Sequence, residues 1–376
     1  MTPLSSRMAL KHFKGPGFDR IRVVAALVVV VHHCTTYITP NISHDILFHF
    51  SRGSIQFGIL AVNVFFAVSG FLVVPGLIRK RDITAFAVHR FLRIMPALFI
   101  NILLTIFLVG PLLSNLPLTE YFRDAETYRY LNNLIFRMTS TLPGVQFDNG
   151  SAPVINGSLW TLYFEMLSYV VLVLMFFVGA LSNRIVFMIL FSVVYLSNIL
   201  LWFRPELSEA MPSRIVVFNS LFVYFFSGVM LNIFADKVPY DKRIAIFILM
   251  MCIILLPLGL GPVILPLSVA YLVVYIGFSD VFGSRQFRSD YSYGIYLNHA
   301  VVLTILLILV PQLKSFFAAL IFVTLAAILI AFLSWRFIEA PSLRLKEWST
   351  DRVRKKLEHM VKLLERMAGY GKAPRL

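Results

Sequence analysis

The chain of 376 residues is 59% hydrophobic and 14% aromatic, but only 14% of it is charged. Soluble domains carry about 25% charged residues, so the composition excludes a soluble globular protein and predicts a polytopic membrane protein. The net charge of +15 does not point to nucleic acid: the basic residues sit between apolar runs and in the C-terminal tail, as topology signals and contacts to membrane lipids.

Ten apolar segments are long enough to cross a hydrocarbon core that needs about 20 residues. They lie near Ile21–Ile38, Gln56–Ile78, Arg90–Gly110, Ser158–Ala180, Arg184–Phe203, Arg214–Phe234, Arg243–Gly259, Pro262–Asp280, Tyr291–Pro311 and Ser315–Phe337. The expected fold is therefore all-α, with about ten transmembrane helices. Only the Gly259–Pro262 turn separates the seventh from the eighth, so the count is least certain there. The first segment lacks a small-x-small cleavage site and reads as a retained helix, not a signal peptide. Its Cys34, and Cys252 further on, are the only cysteines, so there is neither a disulfide framework nor a clustered thiolate metal site. Lys and Arg collect on the side that carries both termini, which the positive-inside rule makes cytoplasmic. The long polar loop 111–157 is then extracytoplasmic, and loops of that length commonly act as lids or binding surfaces. Residues 1–342 form the expected transmembrane domain. In the tail, 343–376, Val353, Leu357, Met360, Val361, Leu364 and Met367 recur at helical spacing among basic residues. That pattern suits an amphipathic helix on the inner leaflet or one packed on the inner loops.

Ionisable groups inside a membrane are functional candidates by default. On the first helix, Arg22 and His33 are eleven positions apart, which puts them on one face about 16 Å apart, with His32 turned away. A histidine bonded to a neighbouring helix, with a snorkelling arginine, explains that stretch equally well. The second helix holds Asn63 and Ser69-Gly70, where Ser-Gly favours close packing over direct chemistry. Arg90 and Arg93 share a face at the cytoplasmic mouth of the third, as a phosphate site or a headgroup anchor. Ser158, Thr161 and Glu165 make a polar stripe on the fourth, and Ser292, Tyr296 and His299 another on the ninth. Glu165 descends about 10 Å from the outer surface, to a depth similar to that of His33. The inferred shape is a tunnel with a cationic inner mouth and an acid/base pair above it, suited to an anionic activated donor inside and a hydroxyl acceptor outside.

These motifs, taken together, resemble the integral-membrane acyltransferase-3 family. The match rests on Arg22-x10-His33, the Asn63–Leu72 stretch, Arg90-x-x-Arg93-Ile-x-Pro96, Ser158-Leu-Trp-Thr161-x-x-x-Glu165, Tyr293-Gly-Ile-Tyr296-x-x-His299 and Phe337-Ile-Glu-Ala-Pro341. Val23 and His32 depart from the family pattern without removing a group that the chemistry needs, and nothing like an SGNH hydrolase domain follows the tenth helix. The resemblance implies a ten-helix O-acyltransferase of the bacterial inner membrane, moving acetyl from cytoplasmic acetyl-coenzyme A to a carbohydrate hydroxyl. It implies His33 as the catalytic residue, as general base or acyl carrier, with Glu165 orienting the histidine or the acceptor. Arg22, Arg90 and Arg93 would hold the donor, and no metal is expected. Asn63, Ser69, Ser158, Thr161, Tyr296 and His299 would support substrate or structure. Oligomeric state is not legible. A transporter also uses intramembrane His, Glu and Arg, but no matching pair of broken helices in two halves points to one.

Overall fold

The computed structural model describes residues 2–11, 15–38, 45–78, 81–281, 289–313 and 315–367. Of the topology signals, Arg79, Lys80, Arg285, Arg288 and Lys314 lie outside the described residues. Among those described the fold is all helix and loop, with two isolated bridges and no strand.

The membrane helices are α1 (Phe18–Ile38), α2 (Phe57–Ile78), α3 (Ile83–Leu104), α4 (Trp160–Phe177), α5 (Arg184–Phe203), α6 (Ser213–Ile233), α7 (Lys242–Leu255), α8 (Gly261–Phe278), α9 (Ser292–Leu309) and α10 (Phe316–Ser334). A further helix, α11 (Lys346–Met367), follows them. Nine of the described helices are long and apolar enough to cross a membrane. The seventh predicted segment falls short: α7 has 14 residues before a 3-10 turn over Leu256–Leu258, which contains Pro257 and ends at Gly259 with φ +75°. Proline withholds an amide and glycine accepts the left-handed turn, so the helix stops there.

The third helix begins seven residues before its predicted start. Asp82 caps it, its Oδ1 accepting from the Ala85 amide at 2.8 Å. Arg90 and Arg93 therefore lie about 10 and 15 Å along α3, not at its mouth. The arginines lowered the apparent hydropathy of the first two turns and hid them. Both α3 and α10 run into π-helical turns, Thr105–Val109 and Trp335–Glu339. Each is followed by a proline, Pro111 and Pro341, which withholds the amide that would close the regular ladder.

The bundle is centred on α2, 67% of whose apolar window is buried, whereas α5 is only 11% buried and lies at the lipid-facing edge. Helices α2 and α6 meet through matching Ser-Gly pairs, Ser69-Gly70 and Ser227-Gly228. A Cβ on Gly70 would lie 1.9 Å from the Phe225 carbonyl oxygen, and one on Gly228 2.2 Å from that of Ala67. Backbones this close have room only for hydrogen, the packing that small residues give membrane helices. Both ends of the described chain dock on the same end of the bundle. Arg7 and Lys11 pair with Asp280 at 2.9 and 2.5 Å, and Arg354 of α11 pairs with Asp82 at 2.7 Å. The opposite end carries the 114–156 segment of short helices and turns. Replacing Gly228 by Val should separate α2 from α6 and remove most folded protein, measured as the monodisperse fraction after detergent extraction. Wild-type recovery would mean that the glycines are dispensable for packing.

Candidate active site

Four charges, Glu339 buried and Arg22, Arg93 and Asp290 half-buried, tie the bundle together beside a small cavity. Arg22 of α1 donates from Nη1 to Asp290 Oδ2 at 3.1 Å, and Arg93 of α3 donates to the same oxygen at 2.6 Å. Arg93 also donates to Glu339 Oε2 at 3.0 Å. The π turn after α10 turns Glu339 inward, where it is 2% exposed and accepts from Ser334 Oγ at 3.0 Å. Asp290 stands just before α9, and its other oxygen accepts from the Ser292 amide at 3.1 Å. Burial alone would raise the Asp290 carboxyl, but Arg93 and Arg22 outweigh it and hold the group below the usual carboxylate range. A carboxylate lowered in the folded state contributes stability that is present above its unfolded pKa, about 4, and is lost as pH falls through the lowered value.

The cavity, of about 60 Å³, is lined by Arg22, Arg90 and Arg93 together with Ser69, Thr161, Glu165, Tyr169, Tyr293 and Tyr296, among others. The predicted arginines thus converge, but not as equals. Arg22 and Arg93 are committed to carboxylates, whereas Arg90 has no carboxylate partner among the described residues and lies 5.9 Å over the Tyr169 ring. Glu165 accepts from Ser69 Oγ at 3.3 Å and from the Tyr169 hydroxyl at 2.6 Å.

His33 does not meet Glu165. His33 lies about 16 Å along α1 (Phe18–Ile38) from Arg22, beyond the residues that line the cavity. Its partner is His299 of α9: His33 Nδ1 lies 2.8 Å from His299 Nε2, and His299 Nδ1 lies 3.1 Å from the Ile295 carbonyl oxygen. A carbonyl only accepts, so His299 carries its proton on Nδ1 and presents a bare Nε2. His33 must then donate from Nδ1, which leaves the lone pair on its own Nε2. His32 faces elsewhere, with Nδ1 3.8 Å from Asp45 and its ring against Gly58. Between His33 and the cavity stand Tyr296 and Phe65, with ring centroids 5.6 Å apart. Thr161 Oγ1 lies 2.5 Å from the Tyr296 hydroxyl, which also donates to the Ser158 carbonyl at 3.1 Å. Ser158 serves through that carbonyl, and its own Oγ is buried without a hydrogen-bond partner among the described residues. Asn63 belongs to none of this, because it faces a separate cavity on another side of α2.

Asp290, Glu339 and Tyr169 escaped the sequence reading as site residues. Asp290 and Glu339 sit at helix ends, where a carboxylate ordinarily faces solvent. Their sequence signals were the two intramembrane arginines that need counter-charges and, for Glu339, its place in the Phe337–Pro341 motif. A set of buried amides was missed as well: Asn101 Nδ2 donates to Asn298 Oδ1 at 2.9 Å, and Asn156 Nδ2 donates to the Leu297 carbonyl at 2.9 Å. Asn156 is 1% exposed and caps the turn before α4.

A family model described as an acyltransferase domain, of the acyltransferase-3 type, matches residues 16–336. The chain belongs to the acyltransferase-3 family. It is a multi-pass integral-membrane acyltransferase. Among curated proteins it is 27% identical to an O-acetyl transferase of Shigella phage Sf6 over 338 residues, 86% of this chain and 94% of the relative. It is 30% identical to nodulation protein 10 of Rhizobium leguminosarum bv. viciae over 161 residues, 41% of this chain and 42% of that one. No solved structure matches it significantly.

In this acyltransferase Arg93 works as a clamp. Arg93→Ala would leave Asp290 and Glu339 buried short of a cation, an imbalance that costs about 3–5 kcal/mol. A clear fall in the thermal midpoint is expected for Arg93→Ala and little change for Arg90→Ala, both followed by fluorescence-detected size exclusion. Asp290→Asn should also flatten the acid limb of the stability profile. Equal midpoints for Arg93→Ala and wild type would remove the clamp assignment.

Proposed function

We propose that this acyltransferase is an O-acetyltransferase that moves acetyl from cytoplasmic acetyl-coenzyme A to a hydroxyl of a carbohydrate on the other side of the bacterial inner membrane. The single observation that carries the chemistry is the His33–His299–Ile295 relay, which leaves a basic nitrogen at His33 Nε2. The acceptor hydroxyl attacks the thioester carbonyl carbon while His33 Nε2 takes its proton. The tetrahedral intermediate then collapses, the C–S bond breaks, and the coenzyme A thiolate recovers that proton from His33. His299 keeps the imidazole in the right tautomer and steadies the positive charge that develops on it. The phage relative's name, O-acetyl transferase, supports oxygen as the acceptor atom.

At the donor end, Arg90 supplies the free guanidinium for the phosphates of coenzyme A, and Lys346 at the start of α11 stands near it. Burial and then the like charges of Arg90 and Arg93 hold the Lys346 ammonium below the ordinary lysine value. A phosphate among them would relieve that repulsion. Glu165, fixed by Ser69 and Tyr169, orients the reacting groups between the phosphates and the histidine. The 60 Å³ cavity is too small for the donor's arm, so Phe65 and Tyr296 must part to admit the thioester.

His33→Ala should lower transfer by about 10²–10⁴-fold, the usual worth of a general base. His32→Ala should keep most activity, with acetylation of the host surface glycan assayed at matched membrane levels. Normal transfer without His33, or equal loss in both variants, would overturn the assignment. Sidedness has its own test. In a background lacking Cys34 and Cys252, Gln146→Cys should react with a membrane-impermeant maleimide in intact cells, and Lys355→Cys only after lysis. The reverse pattern would put Arg90 on the wrong side for coenzyme A.

A further inference from the structure

A groove of about 620 Å³ runs between α3 and α4, beside the first turns of α11. Its α3 wall extends from Ile83 to Leu92, about 14 Å of helix, close to the ~15 Å hydrocarbon depth of one leaflet. The Phe86 and Tyr169 rings form its floor, meeting edge-on with centroids 6.0 Å apart. The Tyr169 hydroxyl is taken up by Glu165. On the walls Phe91, Val170 and Leu174 are more than half exposed. Among the described residues that line the groove, Arg90 is the one charged side chain, about 10 Å along α3 from Ile83.

Helix α11 brings further cations to the other end. Asp82 holds it there with both carboxylate oxygens: Oδ1 caps α3 at the Ala85 amide, and Oδ2 accepts from Arg354 at 2.7 Å. Since Lys346 stands near Arg90 and Arg354 meets Asp82, α11 runs antiparallel to the start of α3. Ser349 and Val353 line the groove, and Lys356 follows them at i+7 and i+3, on the same face and one turn nearer the open end. Arg81, one residue before Asp82, lies at that end too. Both Lys356 and Arg81 are exposed, and neither joins an ion pair among the described residues.

Walls and rim together select the occupant. A sugar or nucleotide would give up its water here without finding polar partners along the walls. A neutral lipid accounts for the walls and leaves the rim cations unused. A phospholipid with a net negative headgroup matches both features. The geometry points to a binding site for one anionic phospholipid between α3, α4 and α11, in the leaflet on the side of the chain termini. One chain lies along Phe91, Val170 and Leu174, and the headgroup phosphate reaches Lys356 and Arg81. Such a chain packs against Tyr169, over whose ring Arg90 lies at 5.9 Å, so the lipid and the reaction cavity share a wall.

The test uses the full chain in detergent, stripped of native lipid and titrated with dioleoyl phosphatidylglycerol or dioleoyl phosphatidylcholine. Bound lipids are counted by native mass spectrometry. The first phosphatidylglycerol should bind roughly tenfold more tightly than the first phosphatidylcholine. Lys356→Gln and Arg81→Asn should each weaken phosphatidylglycerol about fivefold and leave phosphatidylcholine unchanged. Asparagine is chosen because it tolerates the left-handed backbone at Arg81, where φ is +48°. Ala87→Trp, at an exposed position on the groove wall, fills the space and should remove the first binding step for both lipids. All variants are first shown to keep the wild-type thermal midpoint; should Ala87→Trp fail that check, the two rim variants decide. The inference falls if the two lipids bind alike, if the preference survives both rim variants, or if folded Ala87→Trp binds lipid as the wild type does. Glycerol 3-phosphate, which carries the phosphate without the chains, should not displace the lipid; displacement would reduce the site to a phosphate site and overturn the lipid assignment. A dimer in the spectra that Ala87→Trp abolishes would give the groove to a second copy of the chain and overturn it as well.

Discussion

The chain of alternating charges from Arg22 through Asp290 and Arg93 to Glu339 is the constraint on which the rest of the site depends. Two guanidiniums and two carboxylates cancel, which is what allows four ionisable groups to be drawn together between helices of a membrane bundle. Each comes from a different part of the chain: α1, the segment before α9, α3 and the turn after α10. A shift of any of these elements would strand a charge, so the network sets the relative heights of the helices that carry the chemistry. The π turn at Trp335–Glu339 belongs to the same design, because it brings the Glu339 carboxylate inward to Arg93.

With those heights set, the remaining polar residues fall into separate tasks. Arg90, one turn before Arg93, has no carboxylate partner among the described residues and lies over the Tyr169 ring. His33, on the same helix as Arg22, is carried past the cavity to His299, and a backbone carbonyl at the end of that relay decides which nitrogen stays basic. The floor of one space and the wall of the other are both α2, which its glycine contact with α6 holds in place. The cavity lined by arginines and the cavity lined by neutral polar side chains therefore lie on different faces of a single central helix.

Much of this was legible in the residues. Apolar runs located all ten membrane helices, with the seventh predicted too long, because hydrocarbon demands length and continuity, and the Ser69-Gly70 pair announced close packing because small side chains do so in any sequence. The Arg22–His33 spacing separated His33 from His32, since rotation per residue is a property of the helix alone. The family motifs then pointed to acyl transfer, and the family match bears that out. Helix boundaries near charged turns were less legible, as the early start of α3 shows: a side-chain cap at Asp82 outweighed local hydropathy there.

What the sequence by itself determined was the helices, their polar faces and the kind of chemistry those faces offer. Which polar groups become partners was decided only by the tertiary structure. Glu165 and His33 looked like a pair at one depth, but α9 brings His299 to the histidine while Ser69 and Tyr169 take up the carboxylate. Arg90 and Arg93 looked equivalent, and only the positions of Asp290 and Glu339 made one a clamp and left the other free. Asn63 shares a helix with Ser69 yet opens into a different space. Partnership between buried charges depends on distances of a few ångströms between segments remote in the chain, and no local pattern encodes them.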